Sequence, residues 1–239
     1  MKRIITGLLF SASLAAGAAQ PLVELHHRLA PADAVSVKNV ALTLDACGGG
    51  FDADLIALLV SHRVPATIFV TRKWLDRNPV GAAELLVHSD LFELEDHGRA
   101  HVPATLGTSR RVYGMAGSPD VAHLQSEVAL GAEAITRLTG RAPRYYRGAT
   151  AMYDGAAIKT IQAMGYTIAG FSVNADAGAT LSQAGVAARL RGVQAGDIVI
   201  AHMNKPAGST AEGFAVALPE LLARGFRFVK LGDARLLPI

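Results

Sequence analysis

From residue 39 onward, short runs of apolar, often β-branched residues alternate with longer stretches in which apolar residues recur every three or four positions. The first pattern is that of a buried strand and the second that of an amphipathic helix. Their regular alternation marks β-α units wound around a parallel sheet. The runs predict strands over 39–45, 66–71, 92–96, 144–147, 167–173, 197–202 and 226–231, with helices near 54–62, 80–88, 119–138, 154–164, 182–191 and 212–223. Gly140, Gly165 and Gly225 follow three of these helices where a left-handed C-cap belongs. Asp154 stands where an N-cap belongs. Residues 102–118, rich in Gly, Ser, Thr and Arg, fit neither period, and a loop of that length in a compact domain is usually functional or disordered. No linker or repeat interrupts the pattern, so residues 20–239 read as one α/β domain.

The N-terminus follows another logic. Met1-Lys2-Arg3 precedes an apolar run over 4–16 and the small residues Gly17-Ala18-Ala19, the order of a secretory signal peptide over 1–19. The run is shorter than the roughly 20 residues that cross a bilayer core. A periplasmic or secreted protein is therefore expected, without stable membrane insertion once the signal is removed. Loss of Lys2 and Arg3 lowers the formal charge from +3 to +1. With 23 Lys and Arg against 20 Asp and Glu, and no basic run longer than two residues, nothing marks a nucleic-acid partner. At 51% apolar and 18% charged the composition is globular. The single cysteine, Cys47, offers no disulfide and no cysteine-pair zinc or redox motif, so a metal here is expected to be held by His and carboxylates.

On these strand assignments the reactive side chains gather at one edge. Asp45 ends the first strand, His97 and His101 follow the third, Arg147 ends the fourth, Asn174 and Asp176 follow the fifth, and His202 ends the sixth. Ligands and catalytic groups meet at the C-terminal edge of parallel α/β sheets. The i, i+4 spacing of His97 and His101 would, on a helical turn, put both imidazoles on one side where they can share a divalent ion; the bland alternative is a pair of loop histidines. His202 suits acid or base work near neutral pH, or else simply hydrogen-bonds at the core edge. Asp45 precedes Ala46-Cys47-Gly48-Gly49-Gly50, whose glycines let backbone approach a ligand. A carboxylate buried there needs compensation, and Arg147 is the candidate cation. Trp74 is read either as a stacking platform for a sugar or as a packing residue. His26, His27, His62, His88 and His123 are assigned no role.

Taken in order, these segments resemble the polysaccharide deacetylases of carbohydrate esterase family 4. Thr43-Leu44-Asp45-Ala46 matches the family's Thr-Phe-Asp-Asp, His97-Gly98-Arg99-Ala100-His101 its His-Ser/Thr-x-x-His, Tyr146-Arg147 its aromatic-Arg, and residues 198–202 its apolar strand ending in His. Residues 171–176 stand in place of a fourth motif. The resemblance runs from about residue 39 to the C-terminus. It implies a distorted (β/α) barrel of about seven parallel strands and metal-assisted hydrolysis of an acetamido group. In that scheme His97 and His101 hold zinc or a similar divalent ion, and Asp45 is general base. Arg147 orients Asp45, His202 protonates the departing amine, and Asp176 or Asn174 orients His202. Ala46 occupies the position of the family's third metal ligand, which leaves Asp45, Asp96 or Asp52 as the carboxylate to complete the set. Gly148-Ala149-Thr150 replaces the family's Pro-Pro-aromatic run, so its oxyanion contact does not carry over.

The implied function is an exported metal-dependent deacetylase acting on N-acetyl, or O-acetyl, groups of a cell-envelope polysaccharide. The alternatives are a degenerate, non-catalytic carbohydrate-binding module and a hydrolase of non-sugar amides on the same barrel. The sequence does not specify the sugar, the oligomeric state, or whether residues 102–118 form a lid.

Overall fold

The structure, a computed structural model, describes residues 21–31, 37–107 and 111–239. The signal-peptide assignment for residues 1–19 lies outside the described residues. The main sheet contains eight strands. In chain order they are β1 (Lys38–Ala46), β2 (Ala66–Val70), β3 (Phe92–Asp96), β4 (Tyr145–Tyr146), β5 (Thr167–Ile168), β6 (Val173–Asn174), β7 (Ile198–His202) and β8 (Phe226–Val229). The intervening helices are α1 (Ala53–Ser61), α2 (Arg72–Arg77), α3 (Pro79–Val87), α4 (Val121–Thr139), α5 (Gly155–Ala163), α6 (Gln183–Arg191) and α7 (Thr210–Ala223). Every strand pairing in the sheet is parallel.

The strands lie in the order β5-β4-β3-β2-β1-β7-β6, with β8 also on β1. The expected strand over 167–173 is therefore two short strands at opposite edges of the sheet. Thr167 and Ile168 pair with Tyr145 and Tyr146, whereas Val173 and Asn174 pair with Val199 and Ile200. Residues 169–172 carry the chain between the two edges and close the curled sheet into a distorted (β/α) barrel. Gly170 makes this crossing feasible: a Cβ there would sit 2.1 Å from the Leu25 carbonyl oxygen. The helices fall near their expected positions, and Gly140 caps α4 in the left-handed region at φ 73°. Helix α2 was not foreseen. The expected strand over 226–231 ends at Val229, and Leu231–Asp233 turns as a short 3₁₀ segment.

Side-chain alternation sorts the sheet into two faces. On β1, Val40, Leu42, Leu44 and Ala46 point outward into the apolar layer beneath the helices, which also takes Val199 and Ala201 of β7. Ala41, Phe69, Ile198, Ile200 and Leu231 fill the barrel interior. One step further along the inward face of β1 and β7, the apolar fill gives way to Thr43, Asp45 and His202. Among the described residues, no helix is long and apolar enough to cross a membrane.

Candidate active site at the carboxyl edge of the sheet

Asp45 and His202 are register partners on the adjacent parallel strands β1 and β7. Arg147, fully buried after β4, donates from Nη1 to Asp45 Oδ1 at 2.8 Å and to Thr43 Oγ1 at 2.9 Å. Its Nε donates to the Ala169 carbonyl at 3.2 Å, and its guanidinium lies 4.3 Å from the ring centre of Phe69. The Ala169 carbonyl is available because the closing strand breaks there, so the break that seals the barrel also seats the arginine. His27 supports the same turn by accepting a hydrogen bond from Gly170 N at 3.0 Å, a structural role that sequence reading did not assign. Burial raises the pKa of Asp45, but Arg147, His97 and His202 outweigh it and hold the carboxyl below its ordinary value.

The partner of His202 is Asp176, which resolves the choice left open with Asn174. His202 Nδ1 lies 2.9 Å from Asp176 Oδ1. The other oxygen, Oδ2, accepts from His202 N at 2.7 Å and from Thr210 Oγ1 at 3.0 Å. Asn174 instead accepts from Ala177 N within the same loop, where Ala177 and Ala179 are left-handed at φ 49° and 57°. That strained loop is held in place by the site it builds. Burial opposes the charged form of His202, yet the Asp176 hydrogen bond and the neighbouring Cys47 and Asp45 raise its pKa well above normal.

His97 and His101 do come together, but not on a helical turn. They flank a loop in which Gly98 and His101 take φ of 88° and 67°, and their rings sit 5.0 Å apart at 63°. Glu127 of α4 holds this loop by accepting from Ala100 N and Val102 N at 2.8 and 3.1 Å. A third donor joins them. The Cys47 thiol lies 3.5 Å from His97 Nε2, and ligand atoms of Cys47, His97 and His101 all fall within 4.8 Å of one another. Burial raises the Cys47 pKa, but the charge of His97 and hydrogen bonds from His101, His202 and His97 bring it well below the usual thiol value. The pKa of His97 is lowered by burial and raised by Asp45 and Cys47, for a net value of about 9.

The expectation that a metal here would be held by His and carboxylates left out Cys47, which stands in the same cluster of donors. Alternation would have revealed it, since residue 47 shares the inward parity of Asp45. Of the carboxylates proposed to complete the set, Asp45 borders the cluster and the other two stand elsewhere. Asp45 is tied to Arg147, with its Oδ2 3.8 Å from His97 Nε2. Asp52 caps α1 by accepting from Leu55 N. Asp96 has the outward parity of Phe92 and Leu94 and faces α4, where a Cβ on Gly131 would meet its Oδ1 at 2.2 Å.

Asp45, Cys47, His97, His101 and His202 line a cavity of about 520 Å³, with Tyr113 and Met115 of the long loop at its wall. Tyr113 is 81% exposed and sits at the tip of a hairpin pairing Arg111–Val112 with Met115–Ala116. Trp74 is not a stacking platform: it is fully buried and donates from Nε1 to the Gly50 carbonyl at 2.8 Å. With Thr71, Arg77 and Asn78 it fixes the Cys47–Gly50 loop from the α2 side.

A family model described as polysaccharide deacetylase matches residues 32–169. No curated protein matches the chain by sequence. Solved structures share its fold. A peptidoglycan N-acetylglucosamine deacetylase, Bc1960, is 19% identical with a TM-score of 0.69 over 84% of this chain and 89% of its own. A family 4 acetyl xylan esterase from Clostridium thermocellum, solved with a cobalt ion, is 20% identical with a TM-score of 0.67 over 82% and 89%. A CE4 family pseudoenzyme from Bacillus anthracis is 19% identical with a TM-score of 0.66 over 83% of this chain and 65% of its own.

Proposed function

Since the chain belongs to the polysaccharide deacetylase family, we propose that it is an exported, metal-dependent deacetylase that hydrolyses N-acetyl, or O-acetyl, groups of a cell-envelope polysaccharide. The observation that carries this reading is the pairing of two differently held groups across one cavity: Asp45 braced by Arg147, and His202 braced by Asp176.

Arg147 keeps Asp45 ionised at neutral pH, so the carboxylate is ready to accept a proton from an attacking water. Asp176 fixes the His202 ring through Nδ1, which leaves Nε2 facing the cavity. The cationic form favoured at His202 is the one that donates a proton to the departing amine. Each such positioned transfer typically contributes about 10²- to 10⁴-fold in rate. The three donors Cys47, His97 and His101 fit a divalent ion in number and spacing. When bound, that ion would polarise the acetyl carbonyl and lower the pKa of water.

Ala46 and the likeness to a pseudoenzyme favour a second reading, a carbohydrate-binding module without catalysis. Both readings meet one experiment: the mature chain, loaded with zinc, is incubated with chitin oligomers, peptidoglycan and acetylxylan, and acetate and free amine are measured. Acetate release lost in Asp45→Asn supports the deacetylase; glycan binding without acetate release supports the module. Export is tested by sequencing the N-terminus of protein recovered outside the cytoplasm, with cleavage after Ala18 or Ala19 expected. An intact Met1 there would overturn the signal-peptide assignment.

A further inference from the structure

We propose that Cys47 is the third protein ligand of the site's divalent ion, which makes the site a thiolate and bis-imidazole centre selective for zinc-like ions over those that prefer oxygen donors. This deepens the metal-dependent reading above and rests on it only for the presence of an ion. The argument begins with strand parity. Position 46 points outward, and Ala46 is fully buried in the apolar layer with Leu44 and Leu55. Ala46 itself offers no donor, so a third protein ligand has to come from another position. The next inward position after Asp45 is 47, and the side chain found there is a thiol.

The surroundings have the form that metal-ligating side chains require. His97 Nδ1 lies 2.5 Å from the Arg147 carbonyl, an acceptor only, so Nδ1 carries a proton and Nε2, facing Cys47, is the nitrogen that would ligate an ion on giving up its own. Anchoring of one ring nitrogen on a backbone carbonyl is the usual outer support of a ligating histidine. Tetrahedral zinc, with bonds of about 2.3 Å to sulfur and 2.0–2.1 Å to nitrogen, sets donors roughly 3.5 Å apart. The 3.5 Å Cys47–His97 separation meets that spacing, and His101 lies within 4.8 Å of both. The cysteine backbone is fixed as well, since Thr71 Oγ1 donates to the Cys47 carbonyl at 2.8 Å. Arg147 takes Asp45 Oδ1, and a donor set of one thiolate and two imidazoles does not recommend the site to magnesium, calcium or manganese. Thiolate and imidazole ligands favour zinc and its close relatives.

The test loads the mature full-length chain with cobalt(II) as a spectroscopic stand-in for zinc. The wild type should show a near-ultraviolet sulfur-to-cobalt charge-transfer band, and zinc should protect Cys47 from alkylation. Cys47→Ser should lose the band and bind zinc at least about 100-fold more weakly, because even outer-shell losses cost 10- to 100-fold. Cys47→Asp should also lack the band while gaining affinity for manganese. Near-ultraviolet circular dichroism of both variants checks the fold, and the wild-type band and protection experiments stand without either variant. Cobalt bound without the band, no retention of cobalt or zinc, or alkylation of the zinc-loaded protein as fast as the metal-free one would each overturn the proposal. Acetate release by a cobalt form lacking the band would remove the thiolate ligand and leave the deacetylase reading standing. The band without acetate release on any acetylated glycan would do the reverse.

Discussion

Asp45 and Asp96 end strands separated only by β2, both are buried, and they behave in opposite ways. Asp45 points inward to Arg147, and its pKa is lowered despite burial. Asp96 points outward beneath α4, where burial, with Glu127 and Glu95 nearby, raises its pKa well above normal. Its Oδ1 accepts from Gly98 N at 2.8 Å, and its Oδ2 has no partner among the described residues. One step of strand parity thus separates a carboxyl whose charge is favoured at the cavity from one whose charge is disfavoured under a helix. Parity, more than residue type, sets which acid can serve chemistry.

The severest way to break this contrast is to remove the cation. Arg147→Met leaves Asp45 buried without its partner, and breaking one side of a buried pair typically costs about 3–5 kcal/mol. Urea unfolding should show a loss of that size, and turnover should vanish. The double variant Asp45→Asn with Arg147→Met should recover part of the stability and none of the activity. A single variant as stable as the wild type would mean that the pair is not what fixes Asp45.

A second test compares the two acids directly. Asp45→Asn should lower turnover on an acetylated glycan by about 10²- to 10⁴-fold with little change in glycan binding. His202→Ala should match it. Asp96→Asn should lower turnover far less than Asp45→Asn, since Asp96 touches no reacting atom and the amide oxygen of Asn can still accept from Gly98 N and hold the histidine loop. Equal losses at Asp45 and Asp96 would erase the distinction.

Much of this arrangement was legible in the sequence, because strands buried on both faces announce themselves as apolar runs and the reactive residues stand at their ends. What escaped was geometry that periodicity does not encode. Residues 167–173, Thr-Ile-Ala-Gly-Phe-Ser-Val, read as one strand, yet the two edges of the sheet claim its two ends, and the close approach of Leu25 to Gly170 marks the break. Helix α2 spans Arg72–Arg77 and is too short to show an amphipathic period. The histidine pair was found through a helical spacing that it does not adopt, and it succeeded because a left-handed loop brings the same residues together. Cys47 was passed over because cysteines were weighed as pairs, while its inward parity with Asp45 was readable from the strand itself.

Asp176 offers a milder contrast with Asp45. It is held by neutral donors and His202 rather than by an arginine, so losing one donor should cost less than losing Arg147. Thr210→Val removes the hydroxyl that donates to Asp176 Oδ2 at 3.0 Å. A net hydrogen bond to a charged group is worth about 1.5–3 kcal/mol. Thermal unfolding should show a loss in or just below that range, with turnover reduced through the looser His202 ring and Asp45 untouched. Full turnover with unchanged stability would show that the remaining donors suffice.

The smallest effect lies in how the two acids respond to pH. A carboxyl whose folded pKa is raised keeps its proton longer in the folded state than in the unfolded one. Its favourable contribution is complete below the ordinary value of about 3.9 and is lost as pH rises through the folded pKa. The Asp45 contribution has the opposite sign: present above the ordinary value, it is lost as pH falls through the lowered pKa. The stability of the wild type minus that of Asp96→Asn should therefore fall with rising pH above the ordinary value, whereas the same difference for Asp45→Asn should rise with pH below it. Subtracting each variant cancels the shared groups that do not sense the substituted carboxyl; His97 and His202 sense Asp45, and Glu95 senses Asp96. Denaturant titrations from about pH 4 to pH 7, a window above the ordinary aspartate value, should give a negative slope for the Asp96 pair. A flat or positive slope would place Asp96 in a polar environment despite its outward parity, and the contrast between the two strands would then rest on Arg147 alone.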